Sequence, residues 1–259
     1  MNKLYRSVVK YNPLGACRKF LRVMQRNMTW FPPAERLFRK LKERLERYQH
    51  RLEFEDFDAR YGTDTTGVIP LKEMTISASG SVADGIYYEA SSMKIFRQFM
   101  AALDIPFREF DFIDFGSGKG RVLFGAAEYG FRKIIGIEFA REIAEIAEKN
   151  VPLFNRNSDS PACFELHHMD ASEFEIPDTP LVIFFYCPFQ GKVLDRVLAN
   201  INESISRHPR PVYLLFNGQN PKVIGQFTAN GFKYREIRLK RDWRRFLHYR
   251  GLIFTSTES

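Results

Sequence analysis

Three alternating glycines follow an acidic residue within Asp111–Arg121, which reads Asp-Phe-Ile-Asp-Phe-Gly-Ser-Gly-Lys-Gly-Arg. Asp114 lies at the end of an apolar run, and a helical pattern begins at Val122. Glycine is required where a backbone turns with positive φ or closely approaches a ligand, because no Cβ intervenes. Between a strand and a helix, such a loop offers exposed amides and a helix N-terminus to a nucleotide-sized ligand. The Asp114 carboxylate can accept a hydrogen bond from an ammonium or hydroxyl group, so this stretch predicts a nucleotide-type site.

Two further acids come at the ends of the next two predicted strands. Glu138 follows Asp114 by 24 positions, and its two carboxylate oxygens can each accept one ribose hydroxyl hydrogen. Asp170 is followed by Ala171 after a shorter strand. Ligands of open α/β sheets bind outside the carboxyl ends of the strands. Alone, Glu138 could cap the next helix and Asp170 could be a turn residue. Their occurrence at successive strand ends favours a shared ligand site.

Strand and helix patterns alternate along the rest of the chain. The predicted strands are 110–115, 133–138, 163–167, 181–186 and 212–216, and the predicted helices are 91–103, 120–129, 140–150, 192–207 and 221–230. Two final strands, 232–239 and 246–255, have no helix between them and are expected to form a hairpin. Successive β-α units predict an α/β fold with a mostly parallel, seven-stranded sheet and helices on both faces.

The acid-first glycine spacing resembles motif I of class I S-adenosylmethionine (SAM)-dependent methyltransferases. It differs from the G-x-G-x-x-G loop of dinucleotide enzymes. The resemblance extends from about Tyr87 to the C-terminus and implies a Rossmann-like methyltransferase fold with SAM as cofactor. It implies a ribose contact for Glu138 and adenine contacts for Asp170 and the amide of Ala171. The cofactor-binding residues it implies are Asp114, Gly116, Ser117, Gly118, Gly120, Glu138, Asp170 and Ala171.

The resemblance adds two candidates before the first strand of the repeat. A helix there flanks the cofactor in many class I methyltransferases, so Tyr88 and Glu89 at its start are further candidates for cofactor contact. A carboxylate at a helix start that only satisfies the helix dipole is the alternative for Glu89.

Motif I also looks like that of the non-SET histone-lysine methyltransferases. The whole layout, with Asp-x-Arg-Tyr-Gly-x-Asp-Thr at 58–65, looks closer to a little-characterised bacterial group. Neither likeness identifies a substrate.

The fourth predicted strand ends in Tyr186, Cys187, Pro188 and Phe189, where the acceptor would lie in the resembling family. Amine-methylating relatives often carry Asn or Asp there, followed by two prolines and an aromatic residue. A thiol is a weaker hydrogen-bond acceptor than an amide oxygen. Cys187 could be a nucleophile, but a small apolar role is commoner for a free cysteine at a buried strand end. The catalytic residues are therefore unknown, with these four as candidates.

Three functions follow from these motifs. The first is a SAM-dependent methyltransferase with an unidentified acceptor, either a protein side chain or a small molecule. The second is a non-catalytic SAM-binding module whose basic arm docks a partner, which the Cys187 departure favours. An NAD-dependent oxidoreductase is a distant third, disfavoured by the glycine spacing.

Charge divides the chain unevenly. Residues 1–50 hold 13 of the 39 Lys and Arg and 3 of the 31 acids, a net +10, which leaves −2 for the remainder. A basic arm of this kind indicates contact with nucleic acid, an acidic protein or a membrane surface. The alternative is an amphipathic helix whose stripe of Leu37, Leu41 and Leu45 packs on the main domain. The predicted organisation is a partly helical extension (1–52), a connecting or lid segment (53–86) and a methyltransferase domain (87–259).

Composition narrows the setting of the protein. No run of about 18 apolar residues is present, so no transmembrane segment is expected. The three cysteines have no metal-ligand spacing and cannot all pair, so no metal site and a reducing, cytoplasmic location are predicted.

Overall fold

The computed structural model of the protein describes residues 56–70, 87–186, 189, 191–218, 220–239 and 250–255. All of them belong to the compact unit Glu53–Ser259. The extension predicted for 1–52, with its leucine stripe, lies outside the described residues. The same holds for Cys187 and Pro188.

A short helix and a two-stranded ribbon come first in the described chain. Helix α1 is Asp56–Tyr61, and strands β1 (Val68–Pro70) and β2 (Tyr87–Glu89) pair in antiparallel fashion. Helix α2 (Met93–Met100) follows, with Ser92 as its N-cap. The sequence predicted a connecting or lid segment over 53–86, with no strand before residue 110. Three-residue strands carry too little periodicity to be read from sequence, and a proline is tolerated in an edge strand.

A seven-stranded sheet forms the centre of the domain. Its strands are β3 (Asp111–Phe115), β4 (Lys133–Glu138), β5 (Phe164–His168), β6 (Leu181–Phe185), β7 (Val212–Asn217), β8 (Lys233–Arg238) and β9 (Arg250–Thr255). Their order is β5-β4-β3-β6-β7-β9-β8. The first five are parallel, whereas β9 runs antiparallel to both β7 and β8. The predicted parallel sheet with a closing antiparallel hairpin is confirmed.

Four helices follow the parallel strands: α3 (Arg121–Ala127), α4 (Arg141–Asn157), α5 (Gly191–Arg207) and α6 (Pro221–Ala229). Alternate side chains of β3 enter two separate hydrophobic clusters. Phe112 packs in one cluster with Phe124, while Phe115 packs in the other with Phe227. Strand β3 is buried at all five positions, as expected for a parallel strand covered on both faces. The prediction of helices on both faces is therefore confirmed.

Helix α4 extends seven residues beyond its predicted end, because it continues through Pro152 to Asn157. An interior proline removes one helical hydrogen bond, which is why the sequence favoured an end before it. Packing compensates for that loss: Phe154 is fully buried and stacks on Phe124 with ring centroids 4.7 Å apart. Tertiary contacts have overridden the local preference at this position.

Strand β8 lies at one edge of the sheet. Every residue from Lys233 to Glu236 is exposed, as is Arg238. The sequence Lys-Tyr-Arg-Glu-Ile-Arg therefore places four charged side chains along this edge.

Candidate cofactor-binding site

The glycine loop lies between β3 and α3, where the sequence predicted it. Gly116, Gly118 and Gly120 adopt φ values of 79°, 56° and 91°, a left-handed region that strains other residues. The amides of Gly116 and Ser117 donate to the carbonyl of Ile137 at 2.9 and 3.0 Å. The loop is therefore folded over the carboxyl end of β4.

A fourth glycine, in β4, allows the loop to pack this closely against the strand. Gly136 lies inside β4, and a Cβ at this position would be 2.6 Å from Cδ1 of Leu123 and 2.9 Å from Oγ of Ser117. A glycine within an apolar strand indicates close approach of other atoms. The sequence Ile-Ile-Gly-Ile carries this signal, a glycine inside an apolar strand.

Asp114 is a buried acid at the end of β3, with 3% of its surface exposed. None of the described residues donates a hydrogen bond to its carboxylate. Burial raises the pKa of Asp114 well above its ordinary value, and the negative charge of Glu138 raises it further. A buried carboxylate without a donor is costly unless a ligand supplies one.

Glu138 is also buried, but both of its oxygens are occupied. Its Oε2 accepts a hydrogen bond from the amide of Gly118 at 2.9 Å, and its Oε1 accepts one from the amide of Ala140 at 2.9 Å. Burial raises the pKa of Glu138, although these hydrogen bonds oppose the rise. Ala140 directly precedes α4, so the contact of Glu138 with its amide is the helix-capping role that was the alternative for Glu138. The contact with Gly118 is not a cap of that helix. Each oxygen keeps lone-pair capacity for a further donor.

Asp170 follows β5 and caps a short 3-10 turn, Ala171–Glu173. Its Oδ1 accepts a hydrogen bond from the amide of Ser172 at 2.8 Å, as the turn alternative requires. The amide of Met169 donates to the carbonyl of Glu138 at 3.0 Å, so the ends of β4 and β5 are directly joined. The structure thus brings the predicted strand ends together at one edge of the sheet.

The remaining candidates lie at two places. Tyr88 and Glu89 belong to β2, where their backbones pair with Ile69 and Val68, and they precede helix α2, which begins at Met93. At the end of β6, Tyr186 is half-buried against the core, and the Phe189 ring lies 6.4 Å from that of Phe185. The structure therefore places Tyr186 and Phe189 partly in the core, and Cys187 and Pro188 are not described.

Sequence reasoning missed three polar residues around the glycine loop: Lys119, Arg121 and Asn150. All three are buried, at 5%, 2% and 2% exposure. Charged residues are rarely buried unless paired, so composition gives no signal for them. Their partners lie up to 86 residues away in the sequence.

In the part of the chain that the structure describes, no helix is long and apolar enough to cross a membrane. The same residues contain no group of three or more His, Cys, Asp or Glu placed to hold a metal ion.

The family described as "Histone methylation protein DOT1" matches residues 78–169 of this chain. This range includes the glycine loop and Glu138 and ends one residue before Asp170. No curated protein matches the chain.

The chain is similar to several solved structures of methyltransferases. One is a SAM-dependent methyltransferase from Leishmania major, 12% identical over 63% of this chain and 70% of that one, with a TM-score of 0.49. Another is a SAM-dependent methyltransferase from Aquifex aeolicus, 12% identical over 64% and 92%, with a TM-score of 0.48. A third is magnesium protoporphyrin IX methyltransferase from Synechocystis with bound SAM, 16% identical over 63% and 76%, with a TM-score of 0.43.

The strand order and the glycine loop show the predicted Rossmann-like methyltransferase fold. The family match over residues 78–169 agrees with the resemblance to class I SAM-dependent methyltransferases. The resemblance drawn from the sequence is thereby confirmed at the level of class, and the acceptor is unidentified.

Proposed function

We propose that this protein transfers a methyl group from SAM, held at the carboxyl ends of β3, β4 and β5, to a protein side chain or a small molecule. Asp114 carries the proposal. Its carboxyl group is buried at the strand end beside the glycine loop and has a raised pKa. None of the described residues donates a hydrogen bond to it. An ammonium or hydroxyl group of a ligand would satisfy it.

The other strand ends fit the same ligand. We assign the ribose hydroxyls to the free lone pairs of Glu138, whose orientation is fixed by two backbone amides. We assign the adenine amine to Asp170 and a ring nitrogen to the amide of Ala171. Oδ2 of Asp170 makes no hydrogen bond with a described residue, so it is available as an acceptor. The backbone of Gly116, Ser117, Gly118 and Gly120 would line the methionine end.

When bound, SAM supplies a methyl group attached to a sulfonium sulfur. This sulfur leaves readily as the neutral thioether of S-adenosylhomocysteine. The protein is therefore left to hold the acceptor in line with the methyl carbon and to exclude water. Alignment of this kind can lower a barrier by about 7–11 kcal/mol. We place the acceptor near Tyr186–Phe189, at the end of the strand beside β3. Tyr186 and Phe189 would then line an aromatic entrance.

The name of the matching family does not supply the acceptor. The match ends at residue 169 and does not reach Tyr186–Phe189, so it gives no histone substrate for this chain. Cys187, in place of the Asn or Asp of amine-methylating relatives, favours a second candidate, a SAM-binding module without transfer activity. Docking of an anionic partner on the arm, and a cytoplasmic location, stay predictions.

Calorimetric titration of the full chain with SAM, S-adenosylhomocysteine and NAD tests the cofactor. We expect both adenosyl ligands to bind and NAD not to bind. Methyl-labelled SAM incubated with cell lysate then tests transfer, and acid precipitation separates labelled protein from labelled small molecules. Binding of SAM without any labelled product would favour the non-catalytic module, and failure of both adenosyl ligands to bind would refute the proposal.

A further inference from the structure

Lys119 ties the glycine loop to a segment that precedes the domain core. It lies between Gly118 and Gly120, and only 5% of its surface is exposed. Its Nζ lies 2.9 Å from Oδ1 of Asp64 and 2.9 Å from the carbonyl oxygen of Thr66. A buried ammonium group requires such partners. The Lys119 side chain therefore connects the glycine loop to Asp64 and Thr66.

Arg121, the first residue of α3, makes a second connection to the same segment. Its guanidinium donates to Oγ1 of Thr65 at 2.8 Å and lies over the ring of Phe57, 4.5 Å from the centroid. Lys119 and Arg121, on either side of Gly120, therefore both place their charged groups against residues 57–66.

Asn150 of α4 joins the segment and the loop through one side chain. Its amide group donates to the carbonyl of Asp64 at 2.9 Å and to the carbonyl of Lys119 at 3.1 Å. Its Oδ1 accepts from the amide of Asp64 at 2.8 Å. The backbones of Asp64 and Lys119 are thereby held to one fixed point.

The segment is itself internally fixed. The carboxylate of Asp58 accepts hydrogen bonds from Oγ1 of Thr63 at 2.8 Å and from Oγ1 of Thr65 at 2.6 Å. It also accepts from the amide of Thr65 at 3.0 Å. Residues 58–66, called the brace below, therefore form a folded turn and not a loose connection.

We infer that the brace positions the SAM site, by holding the loop Gly116–Gly120 in its ligand-binding conformation before SAM arrives. The inference rests on the proposed function, since it assigns a role toward the same cofactor. The loop contains three glycines at positive φ, and glycine loses more conformational freedom on ordering than any other residue. A loop that is ordered in advance loses less entropy on binding, which increases affinity. Asp64 and Lys119 are positioning residues in this scheme.

Asp64→Ala tests the brace, because it removes the carboxylate opposite Lys119 from a side chain that is 64% exposed. Asp159→Ala is the matched control. Asp159 pairs with Arg60 of the same segment at 3.7 Å, but it is 97% exposed and does not touch the loop. Three quantities are measured for each variant: the Kd for SAM by calorimetry, amide hydrogen exchange of residues 115–121 without ligand, and the Tm without ligand.

We expect Asp64→Ala to weaken SAM binding about 3- to 10-fold, the scale of ordering costs at binding sites, and to speed exchange in the loop. Asp159→Ala should change neither. If the Tm of Asp64→Ala falls well below that of the wild type, the same three measurements on Asp64→Asn test the role of the brace. Asparagine keeps an oxygen opposite Lys119 and should restore much of the affinity.

The two proposals fail in different ways. A wild type that does not bind SAM refutes the proposed function. A wild type that binds SAM, with unchanged affinity and unchanged loop exchange in Asp64→Ala, overturns the role of the brace alone.

Discussion

The amide of Gly118 donates a hydrogen bond of 2.9 Å to Oε2 of Glu138, so the glycine loop and the acid of the next strand are joined directly. One carboxylate thus fixes the loop at one oxygen and the start of α4 at the other. The same group is positioned by the fold and available to a ligand.

Glu138→Gln should weaken SAM binding by at least about tenfold. The substitution removes the charge that strengthens a ribose hydrogen bond, and such bonds contribute about 1.5–3 kcal/mol. It also turns an NH₂ group toward one of the two backbone amides, so the Tm without ligand should fall. Calorimetry with SAM and thermal unfolding of the free protein measure the two effects. A folded variant with wild-type affinity would contradict the ribose assignment.

Asp114→Asn should separate stability from binding. The pKa of Asp114 is raised in the folded protein, so above the ordinary value of 3.8 the folded state binds more protons than the unfolded state. The free energy of unfolding of the wild type therefore falls as the pH rises from about 3.8 through the raised pKa. Asn does not titrate, so this part of the pH dependence should be missing from the variant.

SAM affinity should show the opposite trend with pH. The ionised Asp114 carboxylate is the form that accepts hydrogen bonds from an ammonium group, so wild-type affinity should rise with pH through the same range. Asp114→Asn should bind SAM weakly at every pH tested. Thermal unfolding and calorimetry at a series of pH values give both curves, and parallel curves for the two proteins would refute the assignment.

Asp170→Ser tests the adenine contact while keeping the turn. Serine also caps helix starts, so the hydrogen bond to the amide of Ser172 should be retained. The wild type should prefer S-adenosylhomocysteine to its inosine analogue, which lacks the exocyclic amine, by about 10- to 100-fold, the range for hydrogen bonds to charged groups. The variant should lose most of this preference. Equal discrimination by both proteins would show that Asp170 only caps the turn.

Gly136→Ala and Gly225→Ala should change stability in opposite directions. A Cβ at Gly136 would lie 2.6 Å from Leu123, so overpacking should destabilise the protein by about 1–3 kcal/mol. Gly225 lies in α6 with no atom within 4 Å of an added Cβ, and alanine there should stabilise it by about 0.5–1 kcal/mol. Denaturant unfolding measures both. A neutral Gly136→Ala would mean that the side chains of Leu123 and Ser117 can shift to admit the methyl group.

The sequence could predict the fold because the periodic signals were long. The strands of the sheet and the polar residues at their ends could be placed, and strand 133–138 agrees with β4 at both ends. Strand-end acids are readable because the carboxyl ends of parallel strands meet at one edge.

The brace could not be predicted, because it depends on contacts between distant residues. Nothing in the sequence near Lys119 indicates that its partner is Asp64, 55 residues earlier. Asn150 likewise reads as an ordinary polar position of a helix, and only the fold brings it to the loop. The methyl acceptor could not be predicted for a different reason. The Tyr186–Phe189 segment departs from the pattern of amine-methylating relatives, which would have indicated the acceptor group.

The charged edge at β8 bears on how the protein behaves when it is concentrated. An edge strand exposes unpaired backbone groups, on which a strand of another molecule can assemble. Here Lys233, Arg235, Glu236 and Arg238 would have to lose water for such an assembly to form. Tyr234, 44% exposed, is the single large apolar side chain of the described residues that faces solvent, and it lies between two of these charges. The charged side chains therefore disfavour fibre-like assembly through this edge. Replacing Lys233 and Arg235 with apolar residues would favour such assembly.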